Sequence, residues 1–229
     1  MTTYMYENSM FVKNIYESDK EYGSSNNYKS NNKGDLLSNL ICITNRKLCT
    51  EPFLNRMKYI ASLRPKSVIL REKDLDESEY EILSLEVKSI CDAYNVPFIY
   101  HSHPELAIRN GAGLHMPLNG LVNVPESDRN KLKILGASCH SVEDAITAES
   151  LGCTYIIAGH IYETDCKKGI PGRGISFLKE VNEHVHLPVY AIGGITPSKL
   201  PEILGCGASG GCMMSGFMCG DLLPDVRTS

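Results

Sequence analysis

Eight short apolar runs, separated by amphipathic segments, constrain the fold of this chain more than any other feature. The runs cover residues 40–44, 67–71, 97–101, 113–115, 134–138, 154–158, 189–192 and 210–214. Between them, segments such as residues 79–94 and 142–151 repeat apolar side chains at helical spacing. This alternation favours parallel strands joined by crossover helices. The sequence therefore predicts an α/β fold, a small (β/α)8 TIM barrel, with an open doubly wound sheet as the alternative.

The two ends of the chain are expected to differ from the barrel between them. Residues 1–35 include a polar, turn-rich stretch that cannot offset its ordering entropy by burial. We therefore predict a flexible polar leader at residues 1–35 and one barrel domain at residues 36–229.

Ser141 and the pair Thr196-Pro197 are typical of helix starts. Only residues 216–223 separate the eighth strand region from Pro224, so the last helix should be short.

The composition excludes several classes of function. The 229 residues carry a formal net charge of −4 and a pI of about 6.0, without the basic excess that binds nucleic-acid phosphates. No apolar run approaches the roughly 20 residues of a membrane span, and the N-terminal residues do not resemble a signal peptide. The nine cysteines form no Cys-x-x-Cys pair, which indicates free thiols. We expect a cytoplasmic protein that binds neither nucleic acid nor a membrane.

Residues that could bind a ligand or transfer a proton follow the sixth, seventh and eighth runs. In a TIM barrel the ligand binds at the carboxyl ends of the strands. Gly193-Gly194 and Ser215 follow the seventh and eighth runs, where backbone amides can bind a phosphate. His160 follows the sixth run, at the start of the long cationic loop 159–174. The unperturbed pKa of histidine, about 6.5, suits this side chain to proton transfer in both directions.

Five motifs in chain order resemble the thiamine-phosphate synthase superfamily. They are residues 70–73, the pattern Gly136-x-Ser138-x-His140-Ser141, the loop 159–174, residues 191–197 and residues 213–216, and the matches run over residues 40–218. Synthases of this superfamily typically have Gly-Pro and a Thr-x-Thr-Lys stretch after strand six, whereas this chain has His160 in place of the proline. Residues 163–169 are similar to the thiazole tautomerase (TenI-like) branch, in which this histidine is the acid/base residue.

Three positions depart from the synthase pattern. That pattern has Gln-x-Arg-x-Lys after strand two, Asn-Asp after strand three and Asp after strand four, with a magnesium ion held by oxygen ligands. This chain has Ile69 for the Gln, His101-Ser102 for Asn-Asp, and Met116-Pro117-Leu118 at the third position. Because both carboxylates are missing, a departing pyrophosphate would be poorly neutralised, and we expect synthase activity to be weak or absent.

The resemblance implies a thiazole tautomerase of thiamine biosynthesis, an isomerase that aromatises a carboxythiazole phosphate by moving one proton. His160 is the expected proton-transfer residue. The expected substrate contacts are Arg71, Lys73, Ser138, Thr164, Lys167, Gly193, Gly194 and Ser215. No cofactor and no metal site are expected, and magnesium would be needed only by a synthase. The expected partner is the small-molecule thiazole phosphate substrate, and the chain is compatible with a homodimer.

Three other functions stay open from the sequence. One is thiamine-phosphate synthase, which joins a pyrimidine pyrophosphate to a thiazole phosphate. Another is a non-catalytic regulatory barrel that binds a thiazole phosphate, although such a protein would not need His160. A metal-dependent hydrolase is the third, because the His-x-His pair at residues 101–103 places two imidazoles on one face of a strand. The strand ends lack the carboxylates and the second metal motif that would support it.

Overall fold

The computed structural model describes residues 37–164 and 169–220, in which eight parallel strands close into a barrel. The strands are β1 (Leu40–Ile43), β2 (Ser67–Leu70), β3 (Phe98–His101), β4 (Gly113–Pro117), β5 (Leu135–Cys139), β6 (Tyr155–Gly159), β7 (Val189–Ile192) and β8 (Gly210–Met213). Neighbours in the barrel are neighbours in the chain, and β1 pairs with β8 to close it. All eight predicted runs are strands, so the predicted (β/α)8 barrel is confirmed and the open sheet was the wrong alternative.

Helices connect the strands. They are α1 (Phe53–Ser62), α2 (Glu77–Ala93), α3 (Pro104–Arg109), α4 (Leu118–Leu121), α5 (Glu126–Arg129), α6 (Val142–Ser150), α7 (Gly174–His184), α8 (Leu200–Gly205) and α9 (Ser215–Met218). The predicted helical segments 79–94 and 142–151 correspond to α2 and α6. The last helix of the described residues, α9, has only four residues, and is short as predicted.

Local hydrogen bonds explain where the helices begin. Asp76 and Glu79 form a capping box at the start of α2, each side chain accepting a backbone N–H of the other residue. Ser141 caps α6 by accepting the amide of Asp144. The predicted start at Thr196-Pro197 differs in detail, because the chain first forms a 3-10 turn at Pro197–Lys199 and continues from there into α8.

The strands are apolar along their whole length because both of their faces are covered. In β1, Ile41 and Ile43 face the barrel interior, whereas Leu40 and Cys42 pack toward the helices. The interior layer consists of Ile41, Ile43, Ile69, Ile99, Tyr155, Ile157, Tyr190 and Cys212. These side chains fill the barrel, so a ligand can enter only at its ends.

Some predictions lie outside the part of the chain that the structure describes. The leader at residues 1–35 is one, and its boundary with the barrel therefore stays a prediction. In the described ranges, no helix combines the length and the apolar composition that a membrane span requires. The eight cysteines in these ranges are all free, as the sequence predicted for them.

Candidate active site

A cavity of about 410 Å³ lies at the carboxyl ends of the strands. Its lining includes most of the residues that the sequence predicted for the site: Arg71, Lys73, Ser138, His160, Thr164, Gly193, Gly194 and Ser215. These residues are far apart in the chain, and parallel strands bring them together because all carboxyl ends of such strands meet at one end of the barrel. Lys167 lies outside the described residues, and its contact with substrate stays a prediction.

His160 borders this cavity with a defined tautomer. The residue follows β6 directly, is 6% exposed, and is joined to Gly159 by a cis peptide bond. Its Nε2 lies 3.2 Å from the carbonyl oxygen of Ile170. Since a carbonyl oxygen can only accept a hydrogen bond, Nε2 must carry the proton in the neutral ring. The lone pair is therefore on Nδ1, which accepts no hydrogen bond from the residues that the structure describes.

Backbone hydrogen bonds hold His160 in place. The amides of Ile161 and Tyr162 donate to the carbonyls of Ile192 and Gly193, at 2.8 and 3.1 Å, and so extend the pairing of β6 with β7. The carbonyl of His160 in turn accepts the amide of Arg173 at 2.9 Å. The start of the loop that follows β6 is thus paired with the end of β7, and the end of the loop is bonded back to its start, which limits the movement of the imidazole.

Gly193 packs directly against His160. Its φ is +98°, a region that side-chain-bearing residues rarely adopt. A Cβ on Gly193 would lie 2.3 Å from the Cβ of His160. Only glycine permits this approach, which places the predicted phosphate-binding turn beside the predicted proton-transfer residue.

Positive charge collects on one side of the cavity. Arg71 and Lys73 follow β2 and both line the cavity. Burial, together with the charges of Arg71 and Lys73, lowers the pKa of His101 to about 4, so His101 is neutral at pH 7. The charge available to an anionic ligand at this wall therefore comes from Arg71 and Lys73.

The residue between these two cations has a structural role. The side chain of Glu72 is almost completely buried and lies away from the cavity lining. It accepts the hydroxyl of Thr44 at 2.6 Å, the amide of Arg46 at 3.0 and 3.1 Å, and the guanidinium of Arg46 at 3.2 Å. Glu72 therefore fastens the segment after β2 to the segment after β1.

Sequence reasoning assigned no substrate contact to several residues that line the cavity. His101 ends β3 and His140 follows β5, and both imidazoles border the cavity. His140 donates from Nδ1 to the carbonyl of Gly159 at 2.8 Å. Their positions at strand ends were the signal that could have found them. The apolar part of the wall includes Pro117, Ile192, Cys212, Met213 and Met214, and no chemical motif marks these residues.

The donor atoms at the cavity do not fit a magnesium ion. Magnesium prefers oxygen ligands, above all carboxylates, and no Asp or Glu of the described residues lines the cavity. The same part of the chain contains no group of three or more His, Cys, Asp or Glu side chains that could hold a metal ion. His101 and His103 do not form a common site either, because only His101 lines the cavity and His103 stacks on Tyr80 at 3.9 Å between ring centroids.

Comparisons with known proteins identify the family of this chain. A family model described as thiamine monophosphate synthase matches residues 40–217. Thiamine-phosphate synthase 2 of Streptococcus pneumoniae is 34% identical over 182 residues, which cover 78% of this chain and 87% of that protein. Thiamine-phosphate synthase of Caldanaerobacter subterraneus subsp. tengcongensis is 35% identical over 163 residues, 70% of this chain and 76% of that protein.

The fold is also similar to that of a solved structure whose name belongs to the same family. The structure of thiamine phosphate pyrophosphorylase from Pyrococcus furiosus matches with a TM-score of 0.69 and 26% identity, over 83% of this chain and 91% of that chain. The match to the family model covers all eight strands and every cavity residue up to Ser215. The chain therefore belongs to the thiamine monophosphate synthase family.

Proposed function

We propose that this protein is a thiazole tautomerase, which converts a non-aromatic carboxythiazole phosphate into its aromatic tautomer. The observation that carries the proposal is the His160 imidazole, which borders the cavity with its Nε2–H bonded to the Ile170 carbonyl and its Nδ1 accepting no hydrogen bond from the described residues. Nδ1 can take a proton from the bound ring and return it at another position of the same substrate. The reaction then needs no group other than one oriented base.

The hydrogen bond to Ile170 favours the first step, in which Nδ1 takes the proton. When Nδ1 takes the proton, the ring becomes an imidazolium whose Nε2–H is still bonded to the carbonyl oxygen. A bond from a charged donor is stronger than the same bond from a neutral one, so the intermediate cation is stabilised. One positioned acid/base group of this kind contributes about 10²–10⁴-fold to the rate. Aromatisation of the ring drives the overall equilibrium.

The remaining cavity residues fit the anionic parts of this substrate. The cations Arg71 and Lys73 match its negative charge. The turn at Gly193 and Gly194 and the segment at Ser215 offer close backbone approach for the phosphate. Because Gly193 also contacts His160, binding the phosphate there would hold the ring near the base.

Thiamine-phosphate synthase is the second candidate, and the named relatives favour it. Family membership makes this chain an enzyme of thiamine biosynthesis that acts on small phosphorylated molecules. The relatives described above carry the name thiamine-phosphate synthase rather than tautomerase. Arg71 and Lys73 are cations that a pyrophosphate could contact. Synthase activity is therefore tested together with tautomerase activity.

The chemistry of the cavity wall separates the two candidates. A departing pyrophosphate is best neutralised by a metal ion held at its oxygens. The ends of β3 and β4 present His101 and Pro117 to the cavity, neither of which is a hard oxygen ligand of magnesium. Proton transfer on a bound heterocycle requires no such ion, so this wall supports the tautomerase.

The test is one assay pair on the purified full chain. With the non-aromatic carboxythiazole phosphate and a chelator, we expect aromatisation faster than in an enzyme-free control. With pyrimidine pyrophosphate, thiazole phosphate and magnesium, we expect little release of pyrophosphate. His160→Asn removes the titratable ring, and should lower tautomerisation by about 10²-fold or more with a much smaller change in affinity. His186→Asn, at a 97% exposed side chain, is the matched control and should behave as wild type.

Two results would contradict the proposal. Brisk magnesium-dependent formation of thiamine phosphate, without tautomerisation above the enzyme-free rate, would establish the synthase instead. Wild-type tautomerisation by His160→Asn would show that another group moves the proton.

A further inference from the structure

A buried hydrogen-bonded chain leads from the barrel interior to the cavity. The Tyr155 hydroxyl lies 3.1 Å from Nδ1 of His115, and Nε2 of His115 lies 2.8 Å from Oγ of Ser138. His115 is only 3% exposed and does not line the cavity, whereas Ser138 does. His115 is therefore a buried link between a tyrosine of the core and a hydroxyl that a ligand can reach.

The hydrogen bond between Tyr155 and His115 is possible because Gly136 has no side chain. Tyr155 begins β6 and His115 lies in β4, with β5 between them. A Cβ on Gly136 of β5 would lie 2.2 Å from the Tyr155 ring and 2.6 Å from its hydroxyl oxygen. Because Gly136 has no Cβ, the tyrosine ring lies across β5 and stacks beside His115, with 5.6 Å between ring centroids.

The number of protons on Tyr155, His115 and Ser138 sets the direction of the hydrogen bonds between them. Burial lowers the pKa of His115 to about 3, so the ring is neutral at pH 7 and has one N–H and one lone pair. If Nδ1 carried the proton and donated to Tyr155, the buried Tyr155 O–H would lack an acceptor among the described residues. Leaving a buried donor unpaired costs about 1–3 kcal/mol. The favoured arrangement has Tyr155 donating to Nδ1 and Nε2–H donating to Ser138.

We propose that Tyr155 and His115 are positioning residues that keep the Ser138 hydroxyl oriented as a hydrogen-bond donor to an anionic oxygen of the ligand. Ser138 Oγ accepts from His115, so its own proton is left for the cavity that it lines. The direction of the hydrogen bonds does not depend on which reaction the enzyme catalyses. Only the ligand chosen for the binding experiment rests on the proposed function.

The first measurement is the tautomer of His115 in the ligand-free protein. Long-range ¹H–¹⁵N NMR at pH 7 distinguishes a protonated ring nitrogen from an unprotonated one, and His115→Gln assigns the signal. We expect the neutral Nε2–H form in wild type and loss of this single form in Tyr155→Phe. Tyr190→Phe is the matched control. Its ring is also in the barrel, 6.0 Å from Tyr155, but its hydroxyl makes no hydrogen bond to the described residues. An Nδ1–H form or an imidazolium in wild type would overturn the inference, whether or not the variants fold.

The second measurement is the affinity for the aromatic carboxythiazole phosphate. Losing one oriented hydrogen bond should weaken binding about threefold to tenfold in Tyr155→Phe and in Ser138→Ala. Once Ser138→Ala is present, Tyr155→Phe should cause no further loss, because both changes remove the same contact. Independent, additive losses would contradict the inference. Failure of the wild type to bind this ligand would count against the proposed function. The NMR result would still decide the direction of the hydrogen bonds that His115 makes.

Discussion

At the scale of single residues, the contact between Gly193 and His160 joins the predicted phosphate turn to the predicted base. The two residues are 33 positions apart in the chain, and the pairing of β6 with β7 brings them together. Gly193 has both a positive φ and no space for a Cβ. These are two separate reasons for glycine, one conformational and one steric, and they can be measured separately.

We predict that Gly193→Ala will be much more destabilising than Gly152→Ala. Gly152 also has a positive φ, +84°, but a Cβ there would meet nothing within 4 Å. It therefore reports the conformational cost alone, about 1–2 kcal/mol. At Gly193 the collision with His160 adds to this cost, and tautomerisation should also fall. Thermal unfolding of both variants and an activity assay check this, and equal stability losses would show that the rim adjusts to the added Cβ.

At the scale of elements, the segment after β2 shows how alternate residues divide two roles. Arg71 and Lys73 line the cavity, and Glu72 between them fastens the segment to Thr44 and Arg46. The amide of Arg71 also donates to the Thr44 hydroxyl at 2.9 Å. The positions of both cations therefore depend on a carboxylate that does not line the cavity.

We predict that Glu72→Gln will lower the Tm by roughly 5–10 °C, because it removes the buried charge opposite Arg46. Asp74→Asn is the matched control, since Asp74 accepts from the same guanidinium at 2.7 Å but is more exposed. Its effect should be slight because solvent screens an exposed ion pair. Differential scanning calorimetry compares the two variants. A Glu72→Gln protein as stable as Asp74→Asn would mean that the buried carboxylate contributes little.

At the scale of the whole molecule, the barrel buries histidines in the neutral form. Burial is the main cause that lowers the pKa of His101 to about 4 and of His115 to about 3. In the unfolded chain both groups would titrate near 6.5. As the pH falls below 6.5, the unfolded chain takes up protons that the folded barrel does not. The free energy of unfolding must therefore decrease on acidification.

We predict a loss of stability between about pH 6.5 and pH 4, approaching about 1.4 kcal/mol per pH unit for each proton taken up. Denaturant unfolding at several pH values measures the slope. His115→Gln should make the slope shallower, whereas His186→Gln, at an exposed position, should not change it. A slope that is unaffected by His115→Gln would mean that His115 titrates normally in the folded protein.

Much of this protein follows from its sequence alone. The eight apolar runs indicate a parallel α/β fold, because a parallel strand covered on both faces must be apolar throughout, and eight strand-helix units favour a closed barrel over an open sheet. Strand ends then locate His160, Gly193 and Ser215 at one end of the barrel, since all strands run in the same direction. Family resemblance identified the same residues independently, and the family itself is confirmed.

Other properties were decided only by the tertiary structure. The lone pair on His160 Nδ1 depends on the Ile170 carbonyl, and the orientation of Ser138 depends on His115 and Tyr155. The segment 71–73 did not reveal that its acidic residue would be buried against Thr44. Whereas the bond from His160 to Ile170 closes a single loop, the contacts of His115 and Glu72 join side chains from different strands or loops. Their distances and directions are set by the register of the closed barrel, and a hydrogen bond depends on both.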